Sequence, residues 1–461
     1  MENPPSLGLF DATAIVAGSM IGSGIFLVSA DVARQAGSPG WLLAVWVIAG
    51  AMTLAAALSY GELAAMFPAA GGQYVYLREA FGPPVAFLFG WTQLTVIQTG
   101  TIAAVAVAFA RFAGVLLPGL SDRPLFWASR FSPTPQRLCA IVLVLLLTST
   151  NARGLREGKA VQNVFTVAKG IVLLALAILG AAAILSPPTA APALSERPFF
   201  GAAAPLATLG PALVGALFAA DAWNNVTFTA GEVRDPQRNL PRSLALGAGL
   251  TIGLYLLVNV AYLAILPLPA IAHAPADRVA SAAVAAFAGP VAAAAVAAGI
   301  LVSTFGCING LVLAGARVSY AMAKDRLFFR AAGRLNARGV PGRALFLQAG
   351  WASLLCLSGT YSELLDYVIF AVLVFYALTL AGLFRLRITR PDAPRPYRAL
   401  GYPWLPGAYV LGASAVAASL LFSPQTRTQA MEGLACVLAG LPVYFAVTRR
   451  SGGRHESALC A

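Results

Sequence analysis

The first apolar segment of the chain contains the stretch GSMIGSGIF at residues 18–26. Three glycines and two serines in mid-segment disfavour a helix, because each interior glycine costs about 1 kcal/mol relative to alanine. Unwinding frees backbone N–H and C=O groups, which a membrane tolerates only where they line a cavity or bind something. The stretch therefore predicts a broken helix whose positive half-helix N-terminus faces a carboxylate. The alternative is a close helix-packing face at Gly18 and Gly22.

The composition places most of the chain inside a bilayer. Of the 461 residues, 59% are hydrophobic and 11% are charged, far outside the average of soluble proteins. About 20 apolar residues cross a bilayer core, so we predict an all-α membrane protein with about twelve transmembrane helices. The predicted spans lie near residues 9–29, 41–67, 85–117, 138–150, 161–185, 206–226, 243–266, 291–322, 344–358, 364–384, 405–422 and 431–447.

Basic residues are distributed unevenly between the predicted loops. If the N-terminus is cytoplasmic, the cytoplasmic loops contain 21 of the 31 Lys and Arg residues, the opposite loops contain eight, and Lys169 and Arg317 lie inside spans. The positive-inside rule then predicts that both termini are cytoplasmic. This distribution also accounts for the net charge of +13 without a nucleic-acid partner.

A second interruption is predicted in the sixth span, where FAADAWNN at residues 218–225 places an acid and two amides at membrane depth. Polar groups there are costly and are candidates for function. A simpler interpretation is that Asp221 caps the second half of a broken helix. Breaks in spans one and six occupy equivalent places in two sets of five helices, the pattern of an inverted-repeat transporter with a midplane site.

Lys169 lies about 12 Å inside the fifth span, which is deep for an ammonium without a partner. Its side chain either extends to the cytoplasmic surface or lies against carbonyls freed by the first break, in the role of a bound cation. Ser303, Thr304 and Asn309 in the eighth span either complete that pocket or form ordinary interhelical hydrogen bonds.

The remaining side chains do not indicate a catalytic centre. The two histidines, His273 and His455, lie in a loop and in the tail, so we predict neither an enzyme nor a metal site. The five cysteines show no CxxC spacing, and no cofactor motif is evident. Gln93, Gln98 and Asn259 are interpreted as polar contacts between helices, and no charged ring suggests a channel.

Four parts of the sequence are recognisable together: residues 18–26, residues 218–225 continuing into 231–241, residues 255–262 and residues 303–319. Jointly they resemble the L-type amino acid transporter branch of the amino acid-polyamine-organocation superfamily, over about residues 9–398. The resemblance implies the leucine-transporter fold, with five plus five inverted helices, helices 1 and 6 broken, and two further helices. The expected domains are a transporter core at 1–398, with repeats at about 9–185 and 206–384, and accessory helices with a cytoplasmic tail at 399–461.

The resemblance also implies roles for individual residues. The backbone amides of Gly22, Ser23 and Gly24 are expected to bind the substrate carboxylate. The backbone carbonyls of Met20, Phe218 and Asp221 are expected to bind the substrate ammonium. The Phe218 ring is expected to act as a gate above the site. Lys169 matches a lysine that occupies the place of a sodium ion in similar bacterial members, and Ser303 is expected beside it.

The expected function is transport of neutral L-amino acids by alternating access, and the Lys169 match favours sodium-independent exchange or uniport. The alternatives are a proton- or sodium-coupled symporter of the same fold, or an amino acid sensor that does not transport. The loop at residues 118–136 lacks the cysteine that links animal members to a single-span glycoprotein, so no heavy-chain partner is expected. The expected location is the bacterial inner membrane.

Overall fold

The computed structural model describes residues 7–69, 71–126, 131–154, 159–186, 193–196, 198–201, 206–329 and 331–459. Within these ranges the regular structure is helical, apart from one isolated bridge between Leu7 and Val233. This confirms the predicted all-α class. The end segments 1–6 and 460–461, which belong to the termini predicted to be cytoplasmic, lie outside the described residues.

The α-helices are numbered in chain order. They are α1 (Leu9–Met20), α2 (Gly24–Ala36), α3 (Pro39–Met66), α4 (Gln73–Phe81), α5 (Pro83–Thr92), α6 (Gln98–Leu116), α7 (Pro135–Ala152), α8 (Lys159–Leu185), α9 (Leu206–Ala219), α10 (Asn225–Phe228), α11 (Pro236–Ile265), α12 (Leu268–Ala272), α13 (Val279–Lys324), α14 (Gly342–Ser358), α15 (Tyr361–Thr389), α16 (Trp404–Phe422) and α17 (Arg427–Leu459). A π-helical segment, Gln93–Ile97, connects α5 to α6. Short 3-10 turns occur at Ala193–Ser195, Ala230–Glu232 and Pro275–Asp277.

Nine helices in the described ranges are long and apolar enough to cross a membrane, or ten if α1 and α2 form one bent span. Two further predicted spans are shorter: the apolar part of α9 is Leu209–Ala219, and α14 has 17 residues. The chain is therefore an integral, multi-pass membrane protein. Its division into a core and accessory helices at residue 398 remains a prediction.

The surface of α8 shows how a span separates lipid from core. Val167, Ile171, Leu174 and Ile178 recur every three or four residues and are each more than half exposed, so they form one apolar stripe. Lys169 lies on the opposite side of the helix and is 0% exposed. The charge deep in this span therefore points into the protein and away from the bilayer.

The two predicted breaks meet at the centre of the helix packing. α1 ends at Met20 and α2 begins at Gly24, with a bend of 44° between them. α2 packs against α9, whereas α1 packs against α8 and α11, and α13 packs against α8 and α6. The broken first and sixth spans are thus in contact, and continuous helices surround them.

A buried ion pair fixes the segment after α15 against α3. Glu62 is 0% exposed, and its carboxylate binds Arg387 at 2.5 Å and Arg395 at 3.2 Å. The backbone N–H of Ala399 donates to the same carboxylate at 2.7 Å. A buried carboxylate is costly unless cations and hydrogen bonds compensate its charge, and Glu62 has both.

Candidate functional site

Lys169 lies directly against the break in the first span. Its Nζ donates a hydrogen bond to the Gly18 carbonyl at 2.7 Å, and its side chain is fully buried. The side chain therefore does not extend to the membrane surface. From α13, Ser303 Oγ lies 3.5 Å from the Ile21 carbonyl, at the outer limit of a hydrogen bond. The ammonium occupies a position where a cation would bind a freed carbonyl, and its role as a cation mimic remains a prediction.

Tyr255 of α11 bridges the two broken spans. Its hydroxyl lies 2.8 Å from the Met20 carbonyl at the end of α1 and 3.2 Å from the Ala219 carbonyl at the end of α9. The Met20 carbonyl also accepts from the Gly22 N–H at 2.8 Å. Both lone pairs of the Met20 oxygen are therefore used inside the protein, although sequence reasoning assigned this oxygen to a substrate ammonium.

The polar face of α11 that contacts the break in the first span is recognisable from the spacing of its residues. Tyr255, Asn259 and Tyr262 follow helical spacing, so they lie on one face of an apolar span. Asn259 accepts from Ser29 Oγ at 2.6 Å, and the Tyr262 hydroxyl donates to the Ile25 carbonyl at 3.3 Å. The interpretation of Asn259 as a contact between helices is confirmed. The spacing of the two tyrosines, which the sequence analysis did not use, predicts that they share a face with Asn259, and the structure shows that this face contacts the break.

The backbone at the start of α2 offers free donors to a cavity. Among the described residues, no group accepts a hydrogen bond from the N–H of Ser23 or Gly24, whereas the Gly22 N–H is already bound. The positive end of the helix dipole reinforces these donors, so an anionic group is favoured there. The first cavity is lined by Ser19, Met20, Gly22, Ser23, Gly24, Thr101, Val105, Phe218, Ala219, Asp221, Ala222 and Cys307.

Gly24 also permits the close approach of α2 to α9. A Cβ at this position would lie 2.5 Å from Ala219 Cβ and 2.7 Å from Ala219 Cα, which is closer than real Cβ contacts. Close packing and unwinding therefore occur together in the stretch at residues 18–26. The glycine is required for the contact between the broken spans as well as for access to its amide.

The sixth span is broken between Ala219 and Asn225, the last and first residues of α9 and α10. Ala222 adopts a φ of 65°, which is uncommon for a residue with a Cβ. Asp221 does not cap α10 through its side chain, because Asn224 is the N-cap residue. The Asp221 carboxylate instead accepts a hydrogen bond from the Tyr376 hydroxyl at 2.6 Å.

Phe218 and Tyr361 pack beside the first cavity. Their rings meet edge to face with centroids 6.3 Å apart, and the Tyr361 hydroxyl lies 3.1 Å from Ser23 Oγ. The guanidinium of Arg111 lies over the Tyr361 ring at 5.5 Å and pairs with Asp277 at 3.1 Å. The gate role of Phe218 remains a prediction, and sequence reasoning missed Tyr361 as its neighbour.

Two other polar residues of the eighth span do not reach the cavity. Thr304 Oγ1 donates to the Ile300 carbonyl of its own helix at 2.9 Å. Asn309 accepts from Asn151 Nδ2 at 2.8 Å and so links α13 to α7. The interpretation of these residues as ordinary hydrogen-bonding groups is therefore the one that the structure supports.

A second, more polar cavity adjoins the first. It is lined by Gln73, Gln93, Ile97, Gln98, Thr101, Asp221, Ala222, Asn224, Asn225, Leu311, Val372 and Tyr376. Thr101, Asp221 and Ala222 belong to both cavities. The π-helical segment Gln93–Ile97 contributes to its wall, and such irregularities are frequent at functional sites. Gln93 and Gln98 are therefore part of a cavity wall. Gln98 Nε2 also donates to the Leu311 carbonyl of α13 at 2.7 Å, whereas Gln93 Nε2 donates to Gln98 of its own span at 2.8 Å.

Comparison with known proteins agrees with this geometry. The model of the family described as "Amino acid permease" matches residues 7–444. The chain is 30% identical over 447 residues to the b(0,+)-type amino acid transporter 1 of Rattus norvegicus, covering 95% of this chain and 87% of the rat protein. It is 32% identical over 452 residues to the large neutral amino acids transporter small subunit 2 of Homo sapiens, covering 95% of this chain and 79% of the human protein. The chain therefore belongs to the amino acid permease family of the amino acid-polyamine-organocation superfamily, whose members are transporters and not enzymes.

Proposed function

We propose that this protein transports neutral L-amino acids across its membrane by alternating access. The observation that carries the proposal is the meeting of two broken spans at one cavity, with free N–H donors on one side and helix-terminal carbonyls on the other. An amino acid backbone needs both kinds of group, because its carboxylate accepts hydrogen bonds and its ammonium donates them. Broken helices of this kind form the substrate sites of inverted-repeat transporters.

The substrate carboxylate is proposed to bind the N–H groups of Ser23 and Gly24, beside Gly22. The substrate ammonium is proposed to lie against the carbonyls of span six at Phe218 and Asp221. The Met20 carbonyl, which belongs to the predicted set, already accepts from Tyr255 and Gly22, so it is the weaker candidate of the three. Phe218 is proposed to move when the site opens, because it lines the first cavity and its ring packs against Tyr361.

Lys169 supports sodium-independent exchange or uniport. Its Nζ donates to the Gly18 carbonyl at 2.7 Å, so a side chain of the protein already satisfies the end of α1. A transported sodium ion at this place would have to displace a covalently attached cation. Ser303, which approaches Ile21 from the other side, is proposed to support the same geometry.

Alternating access requires one set of contacts on each side of the substrate site, and the two sets must open in turn. On one side, Tyr361, Arg111 and Asp277 form the group beside the first cavity. On the other side, the Asp325 carboxylate accepts from the Tyr74 hydroxyl at 2.8 Å, and the Leu7 N–H donates to the backbone carbonyl of Glu232 at 3.0 Å. The proposed cycle breaks one set of contacts while the other remains formed.

The proposed location is the inner membrane of a bacterium, with both termini in the cytoplasm. The excess of Lys and Arg in one set of loops supports this orientation. The absence of a cysteine from residues 118–136 supports a transporter that acts without a glycoprotein heavy chain.

The test is an exchange assay with the purified protein in liposomes. Vesicles preloaded with unlabelled leucine are expected to take up labelled leucine at the same rate in sodium, potassium or choline buffers and at equal internal and external pH. Uptake into empty vesicles only with a sodium or proton gradient would instead show a symporter. Binding of leucine without any counterflow would show a sensor, and either result would overturn the proposed exchange or uniport.

A further inference from the structure

We propose that Gln73 is the positioning residue that keeps the cytoplasmic end of the site closed, because its buried amide joins the second half of the sixth span to α15. The inference rests on the proposed function, since a closed end has a role only if the site opens to each side in turn. It goes beyond that function by naming the contact that must break before a substrate leaves toward the cytoplasm.

Gln73 is the first residue of α4, the short helix in the loop between the second and third predicted spans. Two spans precede this loop, so it lies on the predicted cytoplasmic face. A helix that only connected two spans at the membrane surface would be largely exposed. Six of the nine residues of α4 are instead buried, and the helix packs against α15. α4 is therefore part of the packed core at the cytoplasmic end of the site.

The Gln73 amide makes two hydrogen bonds whose directions are fixed. Thr379 Oγ1 of α15 donates its proton to the Phe375 carbonyl at 2.7 Å, so it accepts from Gln73 Nε2 at 3.0 Å. The Gln73 oxygen therefore accepts from Asn224 Nδ2, just before α10, at 3.2 Å. These two bonds, together called the Gln73 contact, join α4, α15 and the broken sixth span. Gln73 is 1% exposed, so the contact is shielded from bulk water.

The turn before α4 brings the backbone itself against α10. Gly71 and Gly72 have φ values of 113° and 47°, which favour glycine. A Cβ on Gly72 would lie 3.0 Å from the carbonyl carbon of Thr227 in α10, and closer still to Thr227 Oγ1. α10 has four residues, and so short a helix is not stable on its own. Its position therefore depends on its neighbours, and α4 supplies both a backbone contact and a side-chain contact.

The far end of α4 is held by contacts of a different kind. Arg78 pairs with Asp325 at the end of α13. Glu79 pairs with Arg390, just after α15, at 3.0 Å. All four side chains are partly exposed, and ion pairs at such positions contribute little, because water replaces them readily. A buried amide that loses its partners is more costly. The closed position of α10 therefore depends on the Gln73 contact more than on these ion pairs.

The second cavity lies between the first cavity and α4. It shares lining residues with the first cavity, and Gln73 and Asn224 form its wall toward α4. Separation of Gln73 from Asn224 would therefore open the second cavity toward the cytoplasm and give a substrate in the first cavity a way out. Water that enters at the same time would bind the two separated amides, so the open state is accessible.

The test measures from which face of the membrane Cys307 can be modified, since this buried thiol lines the first cavity. The full-length protein keeps Cys307, and its other four cysteines are replaced by serine. A membrane-impermeant thiol reagent is added to inside-out or to right-side-out vesicles. Gln73→Leu keeps a side chain of similar size and removes both hydrogen bonds. The rate of modification from the cytoplasmic face is expected to rise about tenfold, and the rate from the outer face is expected to fall.

Two further variants separate this role from a general effect on packing. Thr379→Val removes one of the two bonds, so it is expected to raise the cytoplasmic rate about threefold and to add nothing to Gln73→Leu. Gln348→Leu is the matched control, because this buried amide donates to the Val312 carbonyl at 3.1 Å, joins α14 to α13 and lines neither cavity. Its ratio of cytoplasmic to outer rate is expected to equal that of the wild type. If Gln73→Leu does not fold, Thr379→Val still decides.

A rise from both faces in Gln73→Leu would show a loosened fold and would overturn the positioning role. An unchanged cytoplasmic rate in both Gln73→Leu and Thr379→Val would also overturn it, while leucine exchange by the wild type would still uphold the transporter. Failure of the proposed function gives a different result, namely no leucine exchange by the wild type and no effect of leucine on the modification of Cys307 from either face.

Discussion

The Lys169 ammonium binds the end of α1 through the Gly18 carbonyl. Lys169→Met preserves the length of the side chain but removes its charge and donors, so a buried carbonyl loses its partner at a cost of about 1–3 kcal/mol. We expect leucine exchange to fall by about tenfold or more, because the geometry of the first break relaxes. Initial uptake rates into preloaded liposomes measure this. Lys324→Met, at an exposed lysine near the end of α13, is the matched control, and wild-type rates in Lys169→Met would exclude the cation-mimic role.

A substitution at Gly24 tests whether α2 and α9, the helices of the two broken spans, must be in contact. Gly24→Val places a branched side chain where Ala219 Cβ is 2.5 Å from the position of a Cβ. We expect leucine binding and exchange to be lost, because α2 and α9 must separate and the Ser23 and Gly24 donors move with them. Gly253→Val is the control, since a Cβ at Gly253 in α11 meets no atom within 4 Å. Unchanged uptake in Gly24→Val would contradict the site assignment.

Among the helical elements, α2 and α6 are connected through Asp277, which lies in the turn before α13. This carboxylate pairs with Arg34 of α2 at 2.8 Å and with Arg111 of α6 at 3.1 Å. Asp277→Asn removes both ion pairs, each worth up to about 1 kcal/mol at a partly exposed position. We expect the site to open to that side several-fold more often.

Cys307 reports that opening, because its side chain is buried and lines the first cavity. The rate at which a membrane-impermeant thiol reagent modifies Cys307 should rise in Asp277→Asn, in a protein whose other cysteines, Cys139, Cys356, Cys436 and Cys460, are serine. Asp122→Asn, which changes an acid that accepts from Thr134 outside this group, should leave the rate unchanged. Equal rates in all three proteins would mean that the Asp277 ion pairs do not control access.

The sequence predicts elements best where their cause is local. The first break is predictable at residues 18–26 because glycines disfavour a helix. The second is predictable at residues 218–225 because polar residues are costly at membrane depth and so mark an interruption there. Contacts between distant parts of the chain are different. Ser23 and Tyr361 are 338 residues apart, and no local pattern announces their hydrogen bond. Likewise, a freed carbonyl at Met20 is predictable, but its occupation by Tyr255 depends on how α11 packs.

Over the whole molecule, the distribution of charge predicts the orientation in the membrane. Twelve crossings would bring the two ends of the chain to one face, and the loops on that face contain 21 of the 31 Lys and Arg residues. We therefore expect alkaline phosphatase fused after Val447 to be inactive in a bacterial host, and the same enzyme fused after Ser358 to be active, because it folds only outside the cytoplasm. Green fluorescent protein at the same two positions is the reciprocal control. Phosphatase activity at Val447 would reverse the orientation, so that Tyr361 and Asp277 would face the cytoplasm and Asp325 would face the outside.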